Sequence, residues 1–416
     1  MSQKCLLIGI NDSGENHEDL LELAALVRSS GSYEIAGTMI QKRSRPDSRY
    51  YLGKGKLDSL KEMAEILEAD LVICDDELTP AQQRNIFRVL EIPVTDRTGI
   101  ILEIFLQRAH TSEGKIQVEL ARLKYALPRL IGKGEELSRL GGGIGTRGPG
   151  ESKLEMDRRT IRNRIRALER EIEQMTRHQA VTRKRRNQMD VPVVCLVGYT
   201  NAGKSSIMSY LTKSDQGADS RLFATLATTG HRIDFPDGGH FILSDTVGFI
   251  NKLPHQLVAS FRATLQEVKD AHLLLHVIDA AQEEMDGRIN TVEQVLEQIN
   301  AVSDQALRVY NKVDLLSFEE VDRLTALYPE GLMVSAVTGQ GLEQMVEEIR
   351  NRLFSEAMEI KLLIPYKRGE LIAKLYEHTQ ILSRLDVPEG VELTARGSRQ
   401  VLGQIVQALE VDNENG

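Results

Sequence analysis

One short loop constrains the fold of this chain more than any other feature. The buried run VPVVCLVG is followed directly by YTNAGKSSI, so that residues 198–205 match the pattern G-x-x-x-x-G-K-[ST]. Glycines let the backbone N–H groups of such a loop wrap a phosphate, while Lys204 reaches the terminal phosphates and the Ser205 hydroxyl is placed to ligate Mg²⁺. The helix that follows presents its positive end to the anion. We therefore predict an α/β domain with a nucleotide phosphate site at this loop.

A second motif lies downstream, where HFILSDTVGFI places Asp245 and Gly248 at the end of an apolar strand. A carboxylate at this place can hold Mg²⁺ through water, and the Gly248 amide can sense the γ-phosphate and reorganise when it leaves. Between the two motifs, RLFATLATTGHRID carries Thr225, Thr228 and Thr229. One threonine from this stretch would complete the Mg²⁺ shell only when the γ-phosphate is present, and the residues alone do not choose among the three.

Two further motifs indicate which base the bound nucleotide carries. ALRVYNKVDLL supplies Asn311, Lys312 and Asp314 after another strand. Asp314 can accept two hydrogen bonds from guanine, whereas adenine has no donors in that pattern and would leave the carboxylate unpaired. The stem of Lys312 can cover the base plane, and Asn311 can brace the loop. MVSAVTGQG then supplies Ser335 and Ala336, whose backbone can meet the guanine oxygen.

In this order the motifs predict a guanine-nucleotide-binding G domain over 191–354, with a doubly wound, mostly parallel sheet and the ligand at the carboxyl ends of its strands. The predicted reaction is GTP hydrolysis by water, helped by Mg²⁺. Ras-type hydrolysis uses a Gln directly after Asp-x-x-Gly to orient that water. Here the position is Phe249, followed by Ile250. Because a phenyl ring cannot orient water by hydrogen bonding, we predict slow intrinsic hydrolysis that a partner accelerates.

The rest of the chain predicts three more parts. Residues 1–109 alternate strand-like and helical runs, which indicates a smaller α/β domain with a parallel sheet. Residues 110–187 carry apolar residues at heptad spacing on both sides of a glycine-rich loop at 141–150, which predicts a long antiparallel helical hairpin. Residues 358–416 predict a small α+β C-terminal domain that shows no catalytic constellation.

Charge is distributed unevenly along the chain. The formal net charge is -9, yet residues 108–186 hold 20 Lys and Arg against 10 Asp and Glu. Either a polyanion partner meets this segment or it is a solvated helix face with surplus arginine, and charge alone leaves both open. The loop 141–150 contains six glycines and Arg147. It is either a recognition loop or a flexible connector.

Several other classes of protein are excluded. No run of 18 or more apolar residues occurs, so no membrane span is expected. The first residues contain too short an apolar run for a signal peptide. The three cysteines lie in or beside apolar runs and show neither metal nor disulfide spacing, which fits a reducing cytosol. We expect a cytoplasmic protein.

In these motifs the chain resembles the HflX family, in the Obg–HflX branch of P-loop GTPases. The resemblance covers nearly the whole length and rests on YYLGKGK at 50–56, on GGGIGTRGPGESKLEMDRR at 141–159, and on GYTNAGKS, DTVGFI and NKVD. It implies a cytoplasmic GTPase, expected to be a monomer, that binds the 50S ribosomal subunit and splits stalled or idle 70S ribosomes, notably under heat stress. It also implies that the N-terminal region and the glycine-rich loop contact 23S rRNA.

The resemblance further implies a set of GTP- and GDP-binding residues, carried over by motif position. Those residues are Gly198, Tyr199, Thr200, Asn201, Ala202, Gly203, Lys204, Ser205, Phe223, Ala224, Thr225, Leu226, Ala227, Asp245, Thr246, Val247, Gly248, Asn311, Lys312, Val313, Asp314, Ser335, Ala336 and Val337. Mg²⁺ would fall on Ser205 and Thr225, and the catalytic roles on Lys204, Thr225 and Gly248. The family usually has Asp where this chain has Ala227, so the choice between Thr225 and Thr229 as the metal ligand stays open.

The sequence leaves three alternative hypotheses for the function of this chain. In the first, GTP hydrolysis drives ribosome binding and subunit separation. In the second, the protein is a ribosome-binding anti-association or assembly factor whose GTP- or GDP-bound state matters and whose turnover is incidental, which Phe249 leaves open. The third, a GTPase of tRNA modification or of a membrane surface, lacks a supporting motif, since there is neither a catalytic cysteine constellation nor a basic amphipathic anchor.

Overall fold

A computed structural model gives the fold. It describes residues 3–12, 18–130, 149–188, 191–213, 223, 229–235, 238–252, 262–301, 306–354, 358–397 and 399–413. The chain divides into two compact units. Unit 1 comprises Met1–Thr176, Arg221–Ala227 and Lys252–Arg262, and unit 2 comprises Arg177–Ser220, Thr228–Asn251 and Ala263–Gly416.

The described strands of unit 1 form one parallel sheet, as the sequence predicts. They are β1 (Gln3–Asn11), β2 (Tyr33–Lys42), β3 (Leu71–Cys74) and β4 (Val94–Asp96), in the order β2-β1-β3-β4. The described helices are α1 (Glu18–Ser30), α2 (Lys54–Leu67), α3 (Pro80–Leu90), α4 (Arg97–Arg108), α5 (Ser112–Arg129) and α6 (Pro149–Gln188), the last of which continues into unit 2. Apolar side chains of β1 and β3 pack with those of α2 and α3 to form the core.

The start of α3 shows how local sequence fixes a boundary. Thr79 precedes the helix in extended conformation, and its hydroxyl accepts a hydrogen bond from the Gln82 backbone N–H at 3.2 Å. The Gln82 side chain in turn accepts from the Thr79 N–H at 2.9 Å. Pro80 fills the first helical position, where its missing N–H costs nothing.

Helices α5 and α6 confirm the predicted heptad packing. Leu120 of α5 packs with Ile165 and Leu168 of α6 in a small apolar cluster. These three side chains lie at the predicted heptad positions. The segment that joins the helices, 131–148, contains most of the predicted recognition loop and lies outside the described residues.

The direction of α6 relative to α5 differs from the predicted antiparallel hairpin. Glu119 pairs with Arg164 at 2.7 Å, and Lys124 pairs with Glu169 at 2.8 Å. Each pair is separated by 45 positions. A step forward along α5 is therefore matched by an equal step forward along α6, which is the pattern of two helices running in the same direction. The hairpin was predicted from the glycine-rich loop between the two heptad segments, and heptad spacing itself carries no information about helix direction.

Unit 2 contains the predicted doubly wound sheet. Its strands are β5 (Val193–Gly198), β6 (Thr229–Asp234), β7 (His240–Asp245), β8 (Leu273–Asp279), β9 (Ala306–Asn311) and β10 (Leu332–Met333), in the order β10-β9-β8-β5-β7-β6. β6 alone among them pairs in the antiparallel sense, with β7. The described helices of this domain are α7 (Lys204–Thr212), α8 (Arg262–Lys269), α9 (Met285–Gln298), α10 (Phe318–Leu327) and α11 (Leu342–Leu353). Because β5, β7, β8 and β9 are parallel, their carboxyl ends meet at one edge.

The C-terminal part is a small α+β domain within unit 2. Strands β11 (Met358–Ile364), β12 (Gln380–Val387) and β13 (Gly390–Gly397) form an antiparallel sheet in the order β11-β13-β12, covered by α12 (Gly369–His378) and α13 (Arg399–Asn413). The turn between β6 and β7 is tied to the end of α12. The Gly239 N–H donates to the Tyr376 carbonyl at 3.0 Å, and His240 Nδ1 lies 2.8 Å from the Glu377 carbonyl.

None of the helices in the described ranges combines the length and the apolar character that a membrane crossing requires.

Candidate nucleotide site

The phosphate loop adopts a backbone shape that two glycines make possible. Gly198 has φ +152°, and a Cβ there would lie 2.2 Å from the Val277 carbonyl oxygen. Gly203 has φ +95°, and its Cβ would lie 2.0 Å from the Asn311 amide nitrogen. Any side chain at either position would therefore collide with the neighbouring strand ends. The loop leads directly into α7, whose first residue is Lys204. The N-terminus of the helix and the backbone N–H groups of the loop therefore lie at the same phosphate site.

Lys204 lies buried inside this loop. Its ammonium donates to the carbonyl oxygens of Gly198 at 3.0 Å and Tyr199 at 2.8 Å. Burial lowers the pKa of Lys204 to about 8, although the negative charge of Asp245 acts in the opposite direction. A phosphate group at this point would add negative charge and favour the charged ammonium. The arrangement is that of a cation held ready for an anion.

Ser205 and Asp245 form a pair suited to Mg²⁺. The Ser205 hydroxyl donates to Asp245 Oδ2 at 2.9 Å, and Asp245 is buried at the end of β7. Mg²⁺ prefers hard oxygen ligands and takes the rest of its shell from phosphate oxygens and waters. A hydroxyl and a carboxylate at the mouth of a phosphate loop fit that preference. Because the Mg²⁺ assignment of Ser205 rests on this donor chemistry, it stays a prediction.

Gly248 lies against the phosphate loop, as the motif order predicts. A Cβ at Gly248 would lie 3.0 Å from Thr200 Cα and 3.1 Å from Lys204 Nζ. The start of the Asp245–Gly248 segment is held to β5, because the Thr246 hydroxyl donates to the Leu196 carbonyl at 2.7 Å. The structure therefore brings together Gly248, Lys204 and the phosphate loop.

Asn311 connects the phosphate loop to the base side of the site. Its side-chain amide donates to the Ala202 carbonyl at 2.9 Å and accepts from the Ala336 N–H at 3.0 Å. Asn311 is 2% exposed. Three chain segments far apart in sequence are thereby held by one side chain, which is the bracing role that the sequence predicts.

We expect Asn311→Ala to lower the free energy of unfolding by about 2 kcal/mol, because it removes two hydrogen bonds from backbone groups in a buried place. Urea unfolding of the nucleotide-free protein measures this loss. Asn290→Ala is the matched control, since Asn290 is exposed on α9. Equal stability of the two variants would show that Asn311 does not brace the loops.

The residues that are predicted to read the base occupy the loops after β9 and β10. Ser335 is fully buried, and its hydroxyl donates to Asp314 Oδ1 at 2.5 Å. The carboxylate of Asp314 is thus oriented while the residue remains exposed. Lys312 has φ +68°, and its ammonium pairs with Asp279 at 2.7 Å. This pair fixes the end of the Lys312 side chain, so that its stem can cover a base. Val313 is buried, whereas Val337 is 79% exposed.

Family models match the chain along most of its length. They are the GTP-binding GTPase N-terminal region at 17–106, the GTP-binding GTPase middle region at 108–186, the 50S ribosome-binding GTPase at 193–312 and the HflX C-terminal domain at 325–409. The GTPase HflX of Caldanaerobacter subterraneus subsp. tengcongensis is 45% identical over 393 residues, which cover 94% of this chain and 90% of that relative. The GTPase HflX of Escherichia coli K12 is 45% identical over 362 residues, which cover 86% of this chain and 85% of that relative. The chain belongs to the HflX family of GTPases.

Membership of the HflX family establishes GTP binding and GTP hydrolysis as the activity, which confirms the reaction predicted from the motifs. Among solved structures, the chain is similar to a GTP-binding protein from the archaeon Sulfolobus solfataricus in complex with GDP. The identity is 26%, the TM-score is 0.42, and the match covers 86% of this chain and 100% of that one.

Part of the predicted switch region of this HflX chain stays untested. Ala224, Thr225, Leu226 and Ala227 lie outside the described residues, and so does Thr228. The choice among the three threonines for Mg²⁺ therefore stays open.

Phe223 is described, and it belongs to unit 1. Its buried ring packs edge-on against Phe105 at a centroid distance of 4.7 Å. Its predicted nucleotide contact stays a prediction.

Sequence reasoning missed two parts of this site. Asp279 ends β8, which lies between the motif strands β9 and β5, and pairs with Lys312. An acidic residue at the carboxyl end of a fourth parallel strand was the available signal. The second is the side chain of Tyr199, whose hydroxyl accepts a hydrogen bond from the Asn251 N–H at 2.7 Å. Nothing in the sequence signals this contact, because it joins two loops.

Proposed function

We propose that this HflX GTPase is a cytoplasmic protein that associates with the ribosome, binds the 50S subunit and uses its GTP cycle to split stalled or idle 70S particles. The matching family model over 193–312 is described as a 50S ribosome-binding GTPase, which supports ribosome association. One observation on this chain carries the proposal further, namely a stripe of arginines on α6.

The arginine stripe consists of Arg159, Arg162, Arg166 and Arg170, all exposed. Their steps of three and four residues place them on one face of α6. The opposite face is apolar and packs against α5. An exposed row of guanidinium groups matches the phosphates of RNA, and such binding releases counterions and weakens steeply with salt. This favours the polyanion partner over a merely solvated helix face, and 23S rRNA is the polyanion that a 50S-binding protein meets.

The chain also offers a route from the nucleotide to unit 1. Lys252 follows Gly248 by four residues and belongs to unit 1. Its ammonium pairs there with the carboxylates of Asp75 at 2.5 Å and Asp76 at 2.8 Å. Asp75 is nearly fully buried and also pairs with Arg97 at 2.8 Å. A displacement of Gly248 on loss of the γ-phosphate would therefore pull on an ion-pair network in the unit that carries the arginine stripe.

At the nucleotide we propose the roles that the geometry supports. The loop amides of 198–205 and the Lys204 ammonium hold the phosphates, and the Gly248 amide meets the γ-phosphate. Ser205 would ligate Mg²⁺, and Thr225 or Thr229, between which the choice stays open, would complete the shell. Mg²⁺ supplies charge neutralisation on the phosphates when it is bound.

Phe249 is the reason to expect dependence on a partner. It is 3% exposed, so its ring is buried, and it has no group that can orient water. We propose that ribosomal contact repositions the groups around Gly248 for hydrolysis. The buried Phe249 also favours the second candidate, a ribosome-binding anti-association or assembly factor whose bound nucleotide matters more than its turnover.

Sedimentation of the protein with 70S ribosomes under GTP, GDP and a non-hydrolysable GTP analogue tests the proposal. We expect GTP to convert 70S particles into subunits with the protein on the 50S fraction, and GDP not to do so. Changing Arg159, Arg162, Arg166 and Arg170 to glutamine should weaken association and reduce its salt dependence. The matched control changes four exposed cations of unit 2, namely Lys213, Lys269, Arg323 and Lys361. Equal weakening by both sets of substitutions would show that the arginine stripe acts only through its general positive charge. Intact 70S particles under every nucleotide would refute splitting.

We also expect replacement of residues 141–150 by a short turn to leave GTP and GDP affinity unchanged and to abolish splitting, because a glycine-rich loop lets the backbone approach RNA closely. Light scattering of 70S particles measures splitting, and calorimetry measures nucleotide affinity. Splitting at the wild-type rate would show that the loop is only a connector.

A further inference from the structure

Tyr199 makes contacts that the motif around it does not require. It is the second residue of the phosphate loop, and its side chain is 7% exposed. Its hydroxyl accepts a hydrogen bond from the Asn251 N–H at 2.7 Å. The Arg288 guanidinium of α9 lies over its ring, 4.9 Å from the centroid. A cation over the ring face holds the ring in place, so the hydroxyl is presented to Asn251 in one orientation.

The backbone on both sides of Tyr199 is joined to Phe249. The Phe249 N–H donates to the Gly198 carbonyl at 3.1 Å, and the Thr200 N–H donates to the Phe249 carbonyl at 2.7 Å. These bonds form an isolated parallel bridge between Tyr199 and Phe249.

The register of this bridge differs by one residue from the register of the preceding β5–β7 pairing. Strands β5 and β7 pair Leu196 with Asp245, so the same register would place Gly248 opposite Tyr199. Phe249 stands there instead. One extra residue is therefore accommodated between Asp245 and Phe249, as in a β-bulge. Gly248 lies in this bulge, with its Cα close enough to the loop that a Cβ would be 3.1 Å from Lys204 Nζ.

We propose that Tyr199 is a positioning residue for the triphosphate, whose hydroxyl holds the far end of this bulge so that the Gly248 amide stays beside Lys204. The inference rests on the proposed role of the Gly248 amide at the γ-phosphate. GDP has no γ-phosphate, so the hydroxyl contributes to GTP affinity and not to GDP affinity. A residue that merely stabilises the loop would affect both nucleotides equally.

Tyr199→Phe tests this directly, because it removes the hydroxyl and leaves the ring under Arg288. We expect affinity for a non-hydrolysable GTP analogue to fall about fivefold, the size of one net hydrogen bond, with GDP affinity unchanged. Steady-state kinetics should show KM for GTP raised by the same factor with kcat unchanged. This is the pattern expected when an interaction made equally in the ground state and the transition state is lost. Tyr210→Phe is the matched control, since Tyr210 is half-exposed on α7.

A second variant separates failure of this inference from failure of the proposed site. Gly248→Ala places a methyl group against Thr200 and Lys204, and the proposed site predicts a loss of GTP affinity larger than that of GDP. An unchanged GTP-to-GDP affinity ratio in Tyr199→Phe, beside a reduced ratio in Gly248→Ala, would overturn the role of Tyr199 and leave the site standing. An unchanged ratio in both would overturn the γ-phosphate role of Gly248 as well. Arg288→Gln should lower the ratio in the same direction by a smaller factor.

Discussion

Lys204→Ala is expected to lower the affinity for both GTP and GDP by more than about 100-fold, since hydrogen bonds to a charged group contribute about 1.5–3 kcal/mol each. The buried ammonium already lies between the loop carbonyls of Gly198 and Tyr199. Removing the Lys204 side chain takes this ammonium out of the loop, so the phosphates would lose their direct cation.

Calorimetric titration with GTP and GDP measures the effect of Lys204→Ala, and thermal unfolding without nucleotide shows whether the variant is folded. Lys269→Ala is the control, because Lys269 is an exposed cation in the last turn of α8. Affinity of a folded Lys204→Ala variant within threefold of the parent would contradict the phosphate assignment.

Asp314→Asn is expected to lower GTP affinity about 100-fold and to raise affinity for xanthosine triphosphate. A carboxylate accepts both guanine donors, whereas an amide presents one acceptor and one donor, so a guanine N–H is left without its partner. Xanthine carries an oxygen in place of the guanine amine, and that oxygen can accept from the new amide. The Ser335 hydroxyl can still donate to the amide oxygen, so the loop keeps the contact it makes at 2.5 Å.

Competition among GTP, xanthosine triphosphate and ATP measures the change in selectivity. Asp322→Asn provides the control, because it makes the same substitution at an exposed position of α10. If Asp314→Asn kept the guanine preference and the rejection of ATP, the base assignment would be wrong.

The placement of the motif residues could be predicted because it follows from topology. Gly198, Asp245 and Asn311 each end an apolar strand, and parallel strands bring their carboxyl ends to one edge. The contacts that join these ends could not be predicted in the same way. Asn311 to Ala202 and Tyr199 to Asn251 depend on side-chain reach across loops separated by 109 and 52 positions.

Three elements of the fold, β4, α4 and β12, carry no clear periodic signal in the sequence. β4 has only three residues, which is too short for alternation to show. α4 contains an almost continuous buried apolar run at 100–105, and such a run does not distinguish a helix from a buried strand. β12 lies at one edge of the C-terminal sheet, and most of its side chains are exposed or half-buried.

The most direct test of the account is the rate of GTP hydrolysis with and without 50S subunits or 70S ribosomes, measured as phosphate release by the 416-residue chain. We predict slow turnover by the protein alone and an acceleration on the order of 10³–10⁵ when ribosomal particles are added, because Phe249 leaves the attacking water without a hydrogen-bonding partner until other groups are brought into place. Turnover of several GTP per second by the isolated protein, or a rate that ribosomal particles leave unchanged, would contradict it.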